Sequence, residues 1–249
     1  MAGTERSPRF SVVIPAYNEE KFLLRLLDSI DTARSAYSRG ANGIELIVAD
    51  NLSTDGTARV AAARGCRVVT VEKRVIAAAR NGGARASSGE ILCFVDADMR
   101  IHPQTFDTID RALSAGRIIG GATGVRLERW SAGIAVAYAM IVPWVWLIGI
   151  DTGVVFCRRE DFVTVRGYDE NRRLAEDVAF LLALKRLGRS RGQRLTRLRS
   201  AHALASLRKF DEFGDWHYVT MMPKLALHLL LRRGTFDDFA DLYWYRPNR

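Results

Sequence analysis

Short apolar runs alternate with helical patterns through the first half of the chain. Residues 10–14, 44–49, 67–71 and 91–95 are mostly β-branched or apolar, as expected of strands buried on both faces. Between them, Phe22, Leu23, Leu26, Leu27 and Ile30 recur at helical spacing, Val60 sits among alanines, and residues 76–86 are alanine-rich. Strand, helix, strand, helix implies right-handed crossovers, and hence an α/β, doubly wound, mostly parallel sheet flanked by helices. Ligands of such sheets bind beyond the carboxyl ends of the strands, so the positions just after Ile14, Ala49 and Val95 are the ones to search for chemistry.

The second half is less regular. Residues 131–150 carry no charge and are about long enough to span a bilayer, but Pro143, Gly133, Gly149, Trp144 and Trp146 break the pattern. Asp151 follows at once and residues 154–157 return to strand character. A buried or surface-lying segment is therefore predicted in preference to a span. A second apolar stretch, 221–231, ends in Arg232-Arg233 and reads either as a core-packed helix or as an interfacial helix resting on anionic lipid. No Pro/Gly/Ser-rich linker divides the 249 residues, so one domain is expected over 1–249: a ligand-binding half at about 9–125, and a second half with C-terminal helices at about 126–249.

Composition narrows the partners. A formal charge of +9 favours an anionic one. The basic residues are dispersed, densest over 186–199, and not interleaved with aromatics, so no nucleic acid is expected. Cys66, Cys93 and Cys157 are odd in number and lie in apolar surroundings, which suggests neither a disulfide framework nor a zinc site. Residues 1–9 are polar and lack the apolar middle of a secretory signal. A cytoplasmic protein is expected, at the inner face of the membrane if the interfacial reading of 221–231 applies.

Each strand end carries a polar loop. The first holds Pro15-Ala16-Tyr17-Asn18-Glu19, where proline is expected to end the strand, the aromatic ring can stack on a base, and Asn18 and Glu19 can bind ligand or simply cap the next helix. The second holds Asp50-Asn51-Leu52-Ser53-Thr54-Asp55-Gly56-Thr57. Ser53, Thr54 and Asp55 are good caps there, while Asp50 stands where a carboxylate takes a hydrogen bond from a ribose hydroxyl or a base N–H. The fourth strand ends in Asp96-Ala97-Asp98. Two carboxylates so close call for a counter-cation, and a hard divalent ion, Mg²⁺ or Mn²⁺, shared with phosphate oxygens meets that need. Arg80-Asn81-Gly82-Gly83 places two glycines in a helix, for close packing under the sheet or for approach of a phosphate neutralised by Arg80; Lys73 and Arg74 compete for that role. Downstream, Gly167-Tyr168-Asp169-Glu170 and Glu176-Asp177 precede an amphipathic helix over 178–187. The acids there suit either the helix dipole or a base aimed at a hydroxyl.

These motifs, in this order through about residue 188, resemble family 2 glycosyltransferases of the GT-A fold. The resemblance implies a nucleotide-sugar enzyme with a C-terminal helical extension, acting on a UDP-sugar by preference or a GDP-sugar. In it Pro15, Ala16, Tyr17, Asn18, Glu19 and Asp50 hold the nucleoside, and Arg80, Asn81, Asp96, Ala97 and Asp98 face ribose and diphosphate. Asp98 is then the ligand of Mg²⁺ or Mn²⁺, Asp177 the base of an inverting displacement on an acceptor hydroxyl, and Glu176 its support, with Arg80 or Arg208 assisting the leaving group. His202 is left out of the metal set, a structural or solvated histidine being the simpler reading. No downstream transmembrane bundle and no Gln-x-x-Arg-Trp motif are present, so a polymer-extruding role is not expected. The basic charge and the two apolar stretches point to peripheral membrane association and a lipid-linked acceptor. Two rivals stand beside this reading. A sugar-nucleotidyltransferase would place a Gly-rich basic phosphate loop where Ala16-Tyr17-Asn18-Glu19 stands. In a catalytically silent nucleotide-sugar binding protein Asp177 would only start a helix.

Overall fold

Seven strands form a single sheet in the order β3-β2-β1-β4-β6-β5-β7. The computed structural model describes residues 7–148, 152–173, 175–217 and 219–221. The strands are β1 (Phe10–Ala16), β2 (Ile44–Asp50), β3 (Arg67–Thr70), β4 (Ile91–Phe94), β5 (Ile118–Leu127), β6 (Val155–Arg158) and β7 (Arg194–Ala205). The helices are α1 (Glu20–Ala36), α2 (Thr57–Ala63), α3 (Ile76–Ala86), α4 (Thr105–Ser114), α5 (Ala132–Ile148), α6 (Arg159–Thr164), α7 (Glu176–Ser190) and α8 (Arg208–Phe213). Pairing is parallel except where β6 runs against β4 and β5, so the mostly parallel α/β sheet expected from the sequence is present.

Alternation along β1 shows why its sequence is apolar throughout. Phe10, Val12 and Ile14 enter the core under α1, α2 and α4, whereas Val13 enters the opposite core under α3, α6 and α7. In that second core a side chain at Gly83 would collide with Val13 and one at Gly82 with Val71. The glycines of α3 therefore serve close packing against the sheet, and not the approach of a phosphate.

Proline does not end the first strand: β1 continues through Pro15 to Ala16, in register with Ala49 and Asp50. The ladder to β4 stops at Val13–Phe94, so the missing N–H of Pro15 falls beyond it while pairing with β2 carries on. The charge-free stretch forms α5, which buries Ile134 and Ala137 and exposes Val136, Tyr138 and Met140, the surface-lying outcome. Among the described residues no helix is long and apolar enough to cross a membrane. The apolar stretch at 221–231 lies, beyond Met221, outside the described residues, as do Asp151 and Arg232-Arg233. Strands β5 and β7 were not foreseen. β7 is an edge strand bearing Arg194, Arg197 and Arg199, whose charges discourage pairing with another chain, and it buries Ala201 and Ala203. All three cysteines are buried and free.

Gly83→Val is expected to lower stability by about 2–3 kcal/mol through overpacking between α3 and the sheet. Urea unfolding at an unchanged m-value checks it; a loss below about 1 kcal/mol would show that α3 can move away from β1 without penalty.

Candidate active site

Strand order reverses between β1 and β4, and beyond their carboxyl ends lies a cavity of about 520 Å³. Pro15, Ala16, Tyr17 and Asn51 line one end; Arg80 with Asp96, Glu176 and Asp177 forms the other; Ala97, Asp98 and the paired Glu19 and Arg208 complete the lining.

At the first end, Asn18 does not face the cavity. With φ of 54° it turns toward the β2 loop, its Oδ1 accepting from the Thr54 N–H (2.8 Å) and its own N–H donating to Ser53 Oγ (3.0 Å). Asp50 is buried at the end of β2, accepting a long bond from the Ser53 N–H (3.4 Å), and does not line the cavity either. Its neighbour Asn51 does, and the Asn51 amide donates to the carbonyls of Val71 and Lys73 (2.7 and 2.8 Å), fixing the segment that carries Arg74. Arg74 lies over the Tyr17 ring, 4.3 Å from its centroid. Of the cations competing for a phosphate, Lys73 pairs instead with Glu170 (3.3 Å), while Arg74 and Arg80 line the cavity. The Glu19 side chain makes no capping bond to α1, so the simple capping reading does not hold for its carboxylate.

Arg80 is the hub of the other end. It is 3% exposed, and its Nη2 donates to Asp96 Oδ1 (2.8 Å) while Nη1 donates to Glu176 Oε1 (2.7 Å). Nη1 also stands 2.8 Å from Asp177 Oδ1, without the alignment of a hydrogen bond. Tyr168 packs beneath, 5.2 Å from its ring centroid to the guanidinium carbon. Burial alone would push the guanidinium pKa down; Asp177 and Asp96 hold it well above its ordinary value, so Arg80 remains charged. Burial pushes the Asp177 carboxyl up to about 7, with Arg80 opposing and Glu176 and Asp96 adding to the rise. Ala175, in the left-handed region at φ 54°, turns the chain so that the first residues of α7 face inward. Both acids stand in the first turn of α7, where they complement the helix dipole; Glu176 is also buried and both are ion-paired with Arg80.

Asn81, one residue on, faces away from the cavity. Its amide donates to the Tyr168 carbonyl (2.9 Å) and Glu170 (3.0 Å), and its Oδ1 accepts from the Tyr168 N–H (2.9 Å), so it ties α3 to the Gly167–Glu170 turn. Thr152, Arg173 and Lys209 also line the cavity. No motif marks these residues; long-range folding brings them there. His202 stays outside the site, its ring centroid 5.6 Å from that of His102.

Asp98 can be tested as a holder of a divalent ion. Its pKa is raised by burial, with Arg208 lowering it and Asp96 raising it, so this carboxylate gains from a nearby cation. Its donors are hard oxygens, and Asp96 adds more two residues away, which fits Mg²⁺ or Mn²⁺. Among the described residues no group of three or more His, Cys, Asp or Glu side chains could hold an ion unaided; the fit rests on these two.

Comparison with known proteins agrees with this geometry. The model of "Glycosyl transferase family 2" matches residues 11–132, from β1 to the start of α5. Glycosyltransferase AglE of Haloferax volcanii is 34% identical over 107 residues, which is 41% of this chain and 34% of AglE. The chain spans about a third or less of the length of the curated relatives it matches. In fold, the chain is similar to the mannosyltransferase PcManGT from Pyrobaculum calidifontis in complex with GDP-Man and Mn²⁺ (TM-score 0.63, 19% identity, 82% of this chain and 58% of that one). It is also similar to glucosyl-3-phosphoglycerate synthase from Mycobacterium tuberculosis in complex with Mn²⁺, UDP and phosphoglyceric acid (TM-score 0.57, 24% identity, 84% and 74%). Over residues 11–132, which hold the motifs after β1, β2 and β4 that line one cavity, the chain carries the glycosyl transferase family 2 domain, and its fold is similar to that of these neighbours.

Proposed function

We propose that this chain moves a sugar from a nucleoside-diphosphate sugar to an acceptor hydroxyl with inversion at the anomeric carbon. The observation that carries the proposal is one cavity in which Asp177 faces Asp96-Ala97-Asp98, the two sides joined through Arg80. Residues 9–125 supply the donor side and residues 126–249 the acceptor side. The nucleoside rests against Pro15–Tyr17, with Asn51 and Arg74 beside it, and Asp50 supports that end from beneath. UDP-sugar is the favoured donor and GDP-sugar the alternative, since the similar structures hold UDP and GDP-Man.

In the reaction Asp177 accepts the proton of the acceptor hydroxyl as its oxygen bonds to the anomeric carbon. The bond from that carbon to the β-phosphate oxygen breaks, and its electron pair leaves with the nucleoside diphosphate. Glu176 and Arg80 fix Asp177 in place. A divalent ion held by Asp98, Mg²⁺ or Mn²⁺, would offset the charge that grows on the leaving diphosphate. Arg208, beside Asp98, adds positive charge there.

The acceptor side carries exposed aromatics. Trp130 and Trp216 are more than half exposed, Phe213 is half exposed, and Trp130 packs edge-on to Tyr138 at 5.1 Å. α5 and the end of α8 lie side by side: Arg129 pairs with Asp211 and Asp215, and a side chain at Gly133 would strike the backbone of Asp215 and Trp216. Tryptophan and tyrosine beside an uncharged helix suit the lipid headgroup level, which supports an acceptor hydroxyl presented on a lipid and peripheral membrane association.

Calorimetry with UDP- and GDP-sugars should show binding of one nucleotide class that requires Mn²⁺ or Mg²⁺ and is lost in Asp98→Ala; no binding under any condition would remove the donor site. Asp177→Asn should abolish turnover while keeping donor affinity. In the wild type kcat/KM should rise with pH until Asp177 is deprotonated near 7, and then level off. A flat profile from pH 5 to 8 would take the base role from Asp177. Flotation with phosphatidylglycerol vesicles at low salt should recover the wild type and lose the double variant Trp130→Ser, Trp216→Ser; equal recovery of both would show that the aromatics do not dock on lipid.

A further inference from the structure

Arg208, at the start of α8, bridges two loops that are far from it in sequence. Its Nη1 donates to both carboxylate oxygens of Glu19, at 2.9 and 2.7 Å, in the loop after β1. Its Nη2 stands 3.4 Å from Asp98 Oδ2, in the loop after β4. The guanidinium carbon lies 4.9 Å from the centroid of the Phe22 ring, and the Arg208 N–H donates to Ser206 Oγ at 3.1 Å. A fixed positive charge is thus held against the carboxylate proposed to bind the divalent ion.

Arg80 and Arg208, two of the arginines that line the cavity, are held differently. Arg80 has a side chain 4% exposed and locked among three carboxylates, while that of Arg208 is 22% exposed and stands 3.4 Å from Asp98. A guanidinium this close opposes a second cation on the same carboxylate, because like charges a few ångströms apart repel strongly in a partly buried site. A diphosphate removes the conflict, since it has oxygens enough to take the guanidinium and to share the ion with Asp98.

We propose that Arg208 stands in for the divalent ion: it neutralises Asp98 in the donor-free protein, excludes free ion, and passes to the diphosphate when donor and ion arrive together. The inference rests on the donor reading given above. It makes Arg208 a positioning residue that couples ion entry to donor entry.

Binding of Mn²⁺ alone, without nucleotide, tests it by calorimetry and by loss of the free-ion electron paramagnetic resonance signal. Arg208→Gln should bind Mn²⁺ at least about tenfold more tightly than the wild type. Arg208→Lys keeps the charge and should stay near the wild type, which separates charge from packing on Phe22. Adding Asp98→Asn to Arg208→Gln should abolish the gain. With UDP present the order should reverse, the wild type holding Mn²⁺ and UDP more tightly than Arg208→Gln. Unchanged or weaker binding of Mn²⁺ alone by a folded Arg208→Gln overturns the proposal. Tighter Mn²⁺ in that variant, with no nucleotide bound by the wild type, would uphold exclusion of the ion by Arg208 and overturn the donor reading instead.

Discussion

The site depends on one buried charge. Arg80 sits out of water beneath Asp96, Glu176 and Asp177, and a guanidinium can be buried only if its hydrogen bonds are met by opposite charge. Three carboxylates on one guanidinium exceed what it can neutralise. The surplus negative charge, together with burial, explains why the carboxyl of Asp177 is pushed so far up. Burial and Asp96 raise the Asp98 carboxyl as well, and there Arg208 supplies the opposing charge. Electrostatics that would be wasteful in a scaffold are coherent in the proposed site for a cation and a substrate.

Packing delivers that charge. Arg80 can lie under the rim of the sheet because the glycines two and three residues later let α3 press onto Val13 and Val71. Asn81 then joins α3 to the turn at Tyr168, and the Tyr168 ring stacks on Phe180 of α7, with centroids 4.3 Å apart. The position of α7, and so of Glu176 and Asp177, is transmitted from the sheet through a contiguous aromatic cluster that includes Phe94 and Phe162. The carboxylates are held by a core, which is what the base proposed for Asp177 requires.

Much of this was legible in the sequence where burial leaves no alternative. Strands β1, β2 and β4 are apolar on both faces, and their carboxyl ends announce the loops that carry Tyr17, Asp96 and Asp98. Strands β5 and β7 escaped because they mix glycine, threonine and arginine with apolar residues. β7 also lies at an edge, where one flank meets water and periodicity fades. Asn81 shows a different limit. Its place in an Arg-Asn-x-Gly motif marks it for the site, yet adjacent helical residues diverge by about 100°, so Arg80 and Asn81 point to different cavities. Arg208 lies 189 residues from the Glu19 it pairs with, and no local pattern can convey such a contact.

The two arginines divide the work by the depth at which each is held. Moving Arg80 would strip three carboxylates of their partner at once, the buried Glu176 among them, and breaking even a single buried pair costs about 3–5 kcal/mol. Arg208 has one firm partner, Glu19, and a looser one, Asp98, and reaches both from a short helix. The contact with Asp98 at 3.4 Å is longer than the one with Glu19 at 2.7 Å, and it is the link that the proposed diphosphate replaces. A site that must stay assembled while empty and yet open to a strongly charged ligand needs one arginine of each kind.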